Sequence, residues 1–490
     1  MNNIKEKVVS GIFWKFAERM TAQLVSMIVA VVLARLLAPS DYGTISLVTI
    51  FITIANVFVT DGFGTALIQK KNADNIDFST VFYFSLLFSI GLYFVFFCLA
   101  EVVATFYNLP ILRPVLRVLA LKIPIAGMNS VQHAYVSRHM MFKRFFRATI
   151  LGTFISAVVG ISMAYTGFGV WALVAQELTT CIINTSVLWI TVKWRPNLAF
   201  SLNKLWELFS YGWKLLVQSF LVTLYGNLRS LIIGKVYSTQ DLAYYTKGSY
   251  YPNLIITNVD TALSSTLFPA MSKEQQNIEC VKSIARRTTQ LCSYVLSPLL
   301  IGFAAVADKF VLVLLTEKWL PIVPYIRIIC VALLFRAAQT STLQAIKSVG
   351  RSDVVLKIDI PVRILGVVCI IVAVKQGILY IAISEIMVAL FGMFIYAVAC
   401  EKIVGYCLKE VIQDFLGNVF IASIMGLIIS GIGLYINLSN VLLLVLQFFL
   451  GVIIYLILSL ITKNKNLNYL LNEMKSLLRN IKRKQDRAEI

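Results

Sequence analysis

The sequence predicts an all-α, polytopic membrane protein of about fourteen transmembrane helices, and three observations predict it. The composition is 59% hydrophobic and 14% charged, against about 45–50% apolar and about 25% charged in an ordinary soluble domain. Apolar runs of about 20–25 residues, each able to cross a hydrocarbon layer about 30 Å thick, recur along all 490 residues. The loops between them alternate between basic and nearly uncharged. The sequence lacks the short alternating segments that a β-barrel requires.

The expected spans are 10–36, 42–67, 79–103, 114–136, 148–165, 170–192, 208–235, 241–267, 288–307, 322–346, 354–374, 377–400, 411–436 and 440–462. The N-terminal tail, the alternate loops and the C-terminal tail together hold 28 Lys and Arg. The opposite face holds 5, namely Arg113, Lys235, Lys309, Lys318 and Lys375. This asymmetry follows the positive-inside rule and assigns both termini to the cytoplasm. The net charge of +20 therefore reads as basic loops beside anionic lipid, not as a nucleic-acid surface. The first apolar run is interrupted by Lys15, Glu18 and Arg19 and has no small-x-small cleavage site, so it is expected to be an uncleaved span. In the tail, Leu467, Leu470, Leu471, Met474, Leu477, Leu478 and Ile481 recur at helical spacing beside Lys475, Arg479 and Lys482–Lys484. That pattern predicts a basic amphipathic helix on the inner leaflet.

An internal repeat appears when spans 1–2 are laid over spans 7–8. Trp14-Lys15 aligns with Trp213-Lys214, Arg35 and Asp41 with Lys235 and Asp241, and Asp61 with Asp260. Six crossings return the chain to its starting face, so the two copies have the same orientation. Parallel repeats related by an axis along the membrane normal are a transporter architecture. The expected organisation is an N-terminal six-helix lobe at 1–192 and a cytoplasmic linker at 193–207. A second six-helix lobe follows at 208–403, then helices 13 and 14 at 404–462 and the basic tail at 463–490.

Ionisable side chains within spans cost about 2.5–3.5 kcal/mol each near a helix centre, so they are expected to face a cavity, a partner or the interface. Lys15, Arg19 and Gln23 follow one another at i, i+4 and i+8 with Glu18 beside them, which puts a polar stripe on one face of span 1. Span 7 carries Lys214 and Arg229, span 8 carries Lys247 with Tyr244, Tyr245 and Tyr251, and span 10 carries Arg336. The tyrosines fit interface anchors or sugar-stacking surfaces equally well. Lys15, Arg19, Lys214, Arg229, Lys247 and Arg336 are the candidate cations of a central cleft. Together with other intramembrane cations they outnumber Glu18, Asp61, Glu177, Asp260, Asp359 and Glu385, which suits an anionic cargo. Arg35 and Arg327, near span ends, are expected to snorkel to the headgroups. Asp359 and Arg363 are expected to neutralise each other one helical turn apart. Asp61, within Asp61-Gly62-Phe63-Gly64, is open to pairing, to capping a broken helix or to carrying a coupling ion, and Asp260 and Glu18 share the first and last of these roles.

Enzyme signatures are missing from the sequence. It contains no G-x4-G-K-[ST], H-E-x-x-H, G-x-S-x-G or Asp-x-Asp motif. Eight cysteines show no CxxC spacing and read as buried free thiols. Two histidines, His133 and His139, are too few for a His-rich metal site. No cofactor, metal or catalytic residue is expected.

The segments W-K-F-A-E-R (14–19), L-A-R-L-L-A-P-S-D-Y-G (33–43) and D-G-F-G-T-A-L-I-Q (61–69) resemble the Wzx-like polysaccharide transporter family. Its superfamily also holds multidrug exporters and lipid II flippases. The resemblance implies a fold of two six-helix lobes in a V plus two further helices. It also implies a flippase for undecaprenyl-pyrophosphate-linked oligosaccharide in the bacterial inner membrane, exporting O-antigen, capsule, exopolysaccharide or teichuronic acid precursors. The partners expected are the lipid-linked substrate, membrane lipids, a polysaccharide polymerase and other assembly proteins. Two rivals stand beside this reading. A cation-coupled multidrug antiporter should prefer acids in its cleft, and a membrane enzyme of polysaccharide assembly should carry a large external domain.

Overall fold

The computed structural model describes residues 2–469 and 472, apart from 62, 71, 72 and 437. The described residues are helical almost throughout and divide into two compact units, 1–246 and 247–490. The first holds α1 (Asn2–Leu36), α2 (Pro39–Thr60), α3 (Phe63–Gln69), α4 (Asn75–Tyr107), α5 (Leu112–Leu119), α6 (Lys122–Arg138), α7 (Phe142–Tyr165), α8 (Val170–Thr191) and α9 (Leu202–Val236). Helix α10 (Thr239–Lys273) runs from the first unit into the second. There it is followed by α11 (Ile278–Leu314), a 3-10 segment at Glu317–Ile322, α12 (Val323–Leu334), α13 (Arg336–Ser348), α14 (Ser352–Ala373), α15 (Ile378–Val404), α16 (Leu408–Tyr435) and α17 (Asn440–Ile461).

Among the described residues, 12 segments are long and apolar enough to cross a membrane. The eighth and eleventh expected spans are helices as well, α10 and α14, but their apolar runs are diluted, that of α14 by charge and that of α10 mainly by uncharged polar residues such as Asn253 and Asn258. Helix α10 carries Lys247 and Asp260, and α14 carries Lys357, Asp359 and Arg363. Three expected spans prove to be broken. Span 2 stops at Asp61, whose N–H closes the last turn of α2 on the Val57 carbonyl at 3.2 Å, and resumes as α3. Span 4 breaks between α5 and α6 just before Pro124, whose ring and missing N–H disfavour continuation of the preceding turn. Span 10 is divided into the 3-10 segment, α12 and α13.

The aligned positions make similar hydrogen bonds at their helix starts. Asp41 accepts from the Ala38 N–H at 3.2 Å and Asp241 from the Ser238 N–H at 3.3 Å. Each aligned aspartate thus satisfies an orphan donor at the start of an even-numbered span. At the next span of each repeat, Asp74 accepts from the Asp77 N–H at 2.9 Å and Asn277 from the Cys280 N–H at 3.1 Å. The boundary between the compact units falls at 246/247, because α9, the first helix of the expected second lobe, packs on α2, α3 and α4.

The core of the first unit gathers Leu67, Phe78, Phe82, Val131, Trp194 and Leu208. In the second unit one cluster is built on Met271, Ala285, Ile346, Tyr396 and Tyr406. Another is built on Tyr294, Ile421, Met425, Ile429, Tyr455 and Leu467. Leu467 is therefore buried with side chains of α11, α16 and α17. Asn464 donates to Asn418 Oδ1 at 2.9 Å, and Arg287 stacks 3.8 Å from the Tyr469 ring, which ties this segment down. The expected amphipathic positions 470, 471 and those from 473 onward lie outside the described residues.

Several basic loop residues have protein partners. Lys70 pairs with Asp77 at 3.1 Å and Glu207 at 2.8 Å, and Lys204 with Asp74 at 2.5 Å. Arg138 donates to the Leu67 and Lys70 carbonyls at 2.9 and 2.5 Å, capping the end of α3. In the second unit Arg286 binds Asp414 at 2.8 Å and Lys282 binds Glu410 at 2.8 Å. Tyr406 and Gln290 also donate to Asp414, at 3.0 and 2.6 Å.

Candidate functional site

The polar stripe of α1 lies along α7. Glu18 accepts from Thr149 Oγ1 at 2.9 Å, Trp14 meets Phe146 edge to face at 5.1 Å, and the Lys15 ammonium stands 5.2 Å from the Phe142 ring. These contacts fix one side of the stripe and leave Lys15 and Arg19 exposed. On α9, Lys214 is exposed and Arg229 is half-buried. Among the described residues, Lys15, Arg19 and Lys214 have no carboxylate within ion-pair distance.

The cations of the second unit are placed differently. Lys247 is half-buried on α10, 5.8 Å from the Tyr250 ring. Arg336, the first residue of α13, donates to Asp260 at 2.6 Å, and Thr340 donates to the other oxygen of the same carboxylate at 2.9 Å. Asp260 is therefore a pairing residue in this conformation. Asp61 terminates α2 and accepts from Thr60 Oγ1 at 3.0 Å, which is a capping position.

The tyrosines of span 8 are neither interface anchors nor stacking surfaces. Tyr244, Tyr245 and Tyr251 are 9%, 5% and 5% exposed. Gln240 donates to the Tyr244 hydroxyl at 2.6 Å, and Tyr251 packs edge to face on Phe310 at 5.3 Å. Their rings fill the interior because α10 packs closely; a Cβ on Gly248 would stand 2.6 Å from Tyr325.

Sequence reading left Lys122 without a role, although it starts the second half of a broken span. Its ammonium lies 2.6 Å from Glu177 on α8, and Glu177 also accepts from Thr49 of α2 at 3.5 Å. Two of the three broken spans, the fourth and the tenth, thus open their last segment on a cation, Lys122 and Arg336, that meets a carboxylate of a neighbouring helix. The expected Asp359–Arg363 pair is present at 3.8 Å, and Tyr396 donates to Asp359. Arg327 lies at the surface and donates to the Ala304 carbonyl at 3.2 Å.

Comparison with known proteins agrees with this architecture. A family model described as polysaccharide biosynthesis protein matches residues 32–324. The chain is 22% identical to the teichuronic acid biosynthesis protein TuaB of Bacillus subtilis, over 89% of this chain and 90% of that one. It is 21% identical to the lipopolysaccharide biosynthesis protein WzxC of Escherichia coli, over 88% and 89%, and 21% identical to the succinoglycan biosynthesis transport protein ExoT of Rhizobium meliloti, over 64% and 63%. Among solved structures, the lipid II flippase MurJ in an inward closed conformation superposes with a TM-score of 0.75 at 14% identity, covering 92% of this chain and 98% of that one. An inward-facing multidrug resistance transporter of the MATE family gives 0.60 at 14% identity, over 84% and 98%. With its helical membrane fold and the model match across most of its length, the chain belongs to the polysaccharide biosynthesis protein family, as a multi-pass membrane protein.

Proposed function

We propose that this protein is a flippase that carries undecaprenyl-pyrophosphate-linked oligosaccharide repeat units from the cytoplasmic to the outer leaflet of a bacterial inner membrane, by alternating access, for cell-surface polysaccharide assembly. The prenyl tail of such a substrate is at home in hydrocarbon, while its pyrophosphate cannot enter without compensation for lost hydration. The protein need supply only a wet, cationic path for the head and sugars. In the first unit the cations of that path are Lys15, Arg19, Lys214 and Arg229; in the second they are Lys247 and Arg336.

One observation carries the choice of an anionic cargo. The acids Glu177, Asp260 and Asp359 each form an ion pair, with Lys122, Arg336 and Arg363, whereas Lys15, Arg19 and Lys214 form none among the described residues, Glu18 alone lying near enough to feel the charge of Lys15. The surplus charge is positive and exposed. A multidrug antiporter for cations would need the reverse. Relatives named for teichuronic acid and lipopolysaccharide biosynthesis support the glycan part of the reading. Glu18, Asp61 and Asp260 are the carboxylates through which ion coupling would act, with a polymerase and other assembly proteins downstream.

The test replaces Arg19 or Arg336 by Ala and follows exported polymer and the lipid-linked unit in cells. The expected result is loss of export, with the unit accumulating on the inner leaflet. Normal export by both variants at normal protein levels would refute the cationic path.

A further inference from the structure

Within the first unit, α1, the start of α7 and the turn between α6 and α7 surround a cavity of about 310 Å³. Lys143, Arg144 and Arg147 line it together with Trp14 and Phe142, and no Asp or Glu does. Its volume is that of a small-ligand pocket.

The walls are fixed by contacts that do not use these three cations. At the turn, the Met141 N–H returns to the Val136 carbonyl at 3.0 Å and the Met140 N–H to that of Ser137 at 3.2 Å, the paired bonds of a Schellman stop. Met140 takes the left-handed conformation that this stop requires, at φ 54°. His133 of α6 stacks on Phe145 of α7 at 4.7 Å. On the other side α1 is fastened to α7 by Trp14 on Phe146 and by Glu18 on Thr149. A pocket held in this way is formed before any ligand arrives, which lowers the cost of binding.

Its charges, in contrast, are poorly placed for the protein alone. Lys143 and Arg144 occupy the first turn of α7, where the helix dipole disfavours cations, and no acid stands there. Among the described residues, none of Lys143, Arg144 and Arg147 pairs with a carboxylate. Lys143 lies 5.0 Å from the Trp14 ring and, beside the same cavity, Lys15 lies 5.2 Å from that of Phe142. A ring face is a weak partner for an exposed cation. An anion in the cavity would relieve this repulsion with charge-assisted hydrogen bonds. Three cations suit a diphosphate, which spreads two or more charges over two phosphoryl groups, better than the single charge of a phosphodiester. The rest of the lining, with Met140 and Met141 beside Trp14 and Phe142, suits the hydrocarbon of a lipid that bears it.

We propose that this cavity is a docking site for the diphosphate of the carrier lipid, gripped by Lys143, Arg144 and Arg147 at the cytoplasmic face before it passes to Lys15 and Arg19. The proposal rests on the flippase reading above. It adds to that reading a capture step outside the transport path, at a site that selects carrier lipid from the other anionic lipids of the leaflet.

Lys143 is exposed, so its acetylation reports occupancy in the wild-type protein. The full-length protein in phosphatidylcholine nanodiscs is treated with N-hydroxysuccinimidyl acetate, and Lys143 is followed by peptide mass spectrometry. The exposed Lys463 of the second unit is the reference. The additions are undecaprenyl pyrophosphate, phosphatidylglycerol at the same mole fraction, and inorganic pyrophosphate at the same concentration. Undecaprenyl pyrophosphate should slow Lys143 acetylation about fivefold, the expected size for a site mostly filled by ligand, and leave Lys463 unchanged. The other two additions should protect neither lysine. Arg144→Gln/Arg147→Gln should abolish the protection and raise the apparent KM for transport about tenfold at unchanged kcat, as loss of two partly screened charge contacts predicts. Arg144→Lys/Arg147→Lys should retain most of both. Arg19→Ala should block transport yet keep the protection. Arg147→Glu, at an exposed position, should act like the double glutamine variant and covers the case in which that variant fails to fold.

Equal protection by phosphatidylglycerol would make the cavity a general contact for anionic lipid, and equal protection by inorganic pyrophosphate a site for soluble phosphates; either overturns the docking step. Binding of undecaprenyl pyrophosphate without protection of Lys143 overturns it too, while the flippase reading stands. Failure of the wild-type protein to bind undecaprenyl pyrophosphate at all would instead overturn the flippase reading, and the docking site with it.

Discussion

The ammonium of Lys122 lies 2.6 Å from the Glu177 carboxylate, joining the start of α6 to the middle of α8, with side chains 21% and 29% exposed. Two partly dehydrated charges in a membrane helix bundle stabilise each other only while both are present. Glu177→Gln should therefore lower stability by about 2 kcal/mol, below the ~3–5 kcal/mol of removing one partner from a fully buried pair. The double variant Lys122→Met/Glu177→Leu should recover most of that loss. Thermal unfolding of the purified proteins checks both, and an additive double variant would show that the two residues do not interact.

Asp74 responds to pH outside the spans. The Lys204 ammonium at 2.5 Å, with help from the Asp77 N–H, holds its carboxyl at about 2, below the usual 3.8. A depressed carboxylate contributes stability that is complete above its unfolded value and is lost as pH falls through its folded value. Asn keeps the N-cap at this position and removes the charge. The stability difference between wild type and Asp74→Asn should be constant above about pH 5 and shrink toward zero near about pH 2. Solvent screening of this half-exposed pair keeps the difference small. Unfolding midpoints across that range are the measurement.

Two glycines of the recurring motifs should behave in opposite ways. A Cβ on Gly43 would stand 1.7 Å from the Thr239 carbonyl oxygen, whereas nothing lies within 4 Å of one on Gly64. Gly43→Ala must push α2 and the start of α10 apart and should cost more than about 2 kcal/mol. Gly64→Ala should stabilise α3 by about 0.5–1 kcal/mol. Comparing the folded yield and unfolding temperature of the two variants tests this, and equal behaviour would remove the steric account of Gly43.

Much of the architecture was legible in hydropathy because the bilayer imposes one rule on every crossing helix. The observed α4, α7, α8, α15, α16 and α17 all lie over their expected spans. Breaks were harder to see. Pro124 marks one, but Phe335 between α12 and α13 carries no comparable signal, because helical propensity is nearly the same on both sides of it. The intramembrane charges were visible one by one, yet their pairing was not. Lys122 and Glu177 are 55 residues apart and Arg336 and Asp260 are 76 apart, and one sequence contains no distance between them.

Periodicity and charge asymmetry determined the helices, their order and the excess of positive charge, since these follow from local chemistry and from the thickness of the membrane. Packing alone decided which charges neutralise one another, which tyrosines are interior, and which aromatic and basic side chains line a common void. These depend on side chains brought together from helices far apart in the chain, and the energy of each contact exists only once those helices have met.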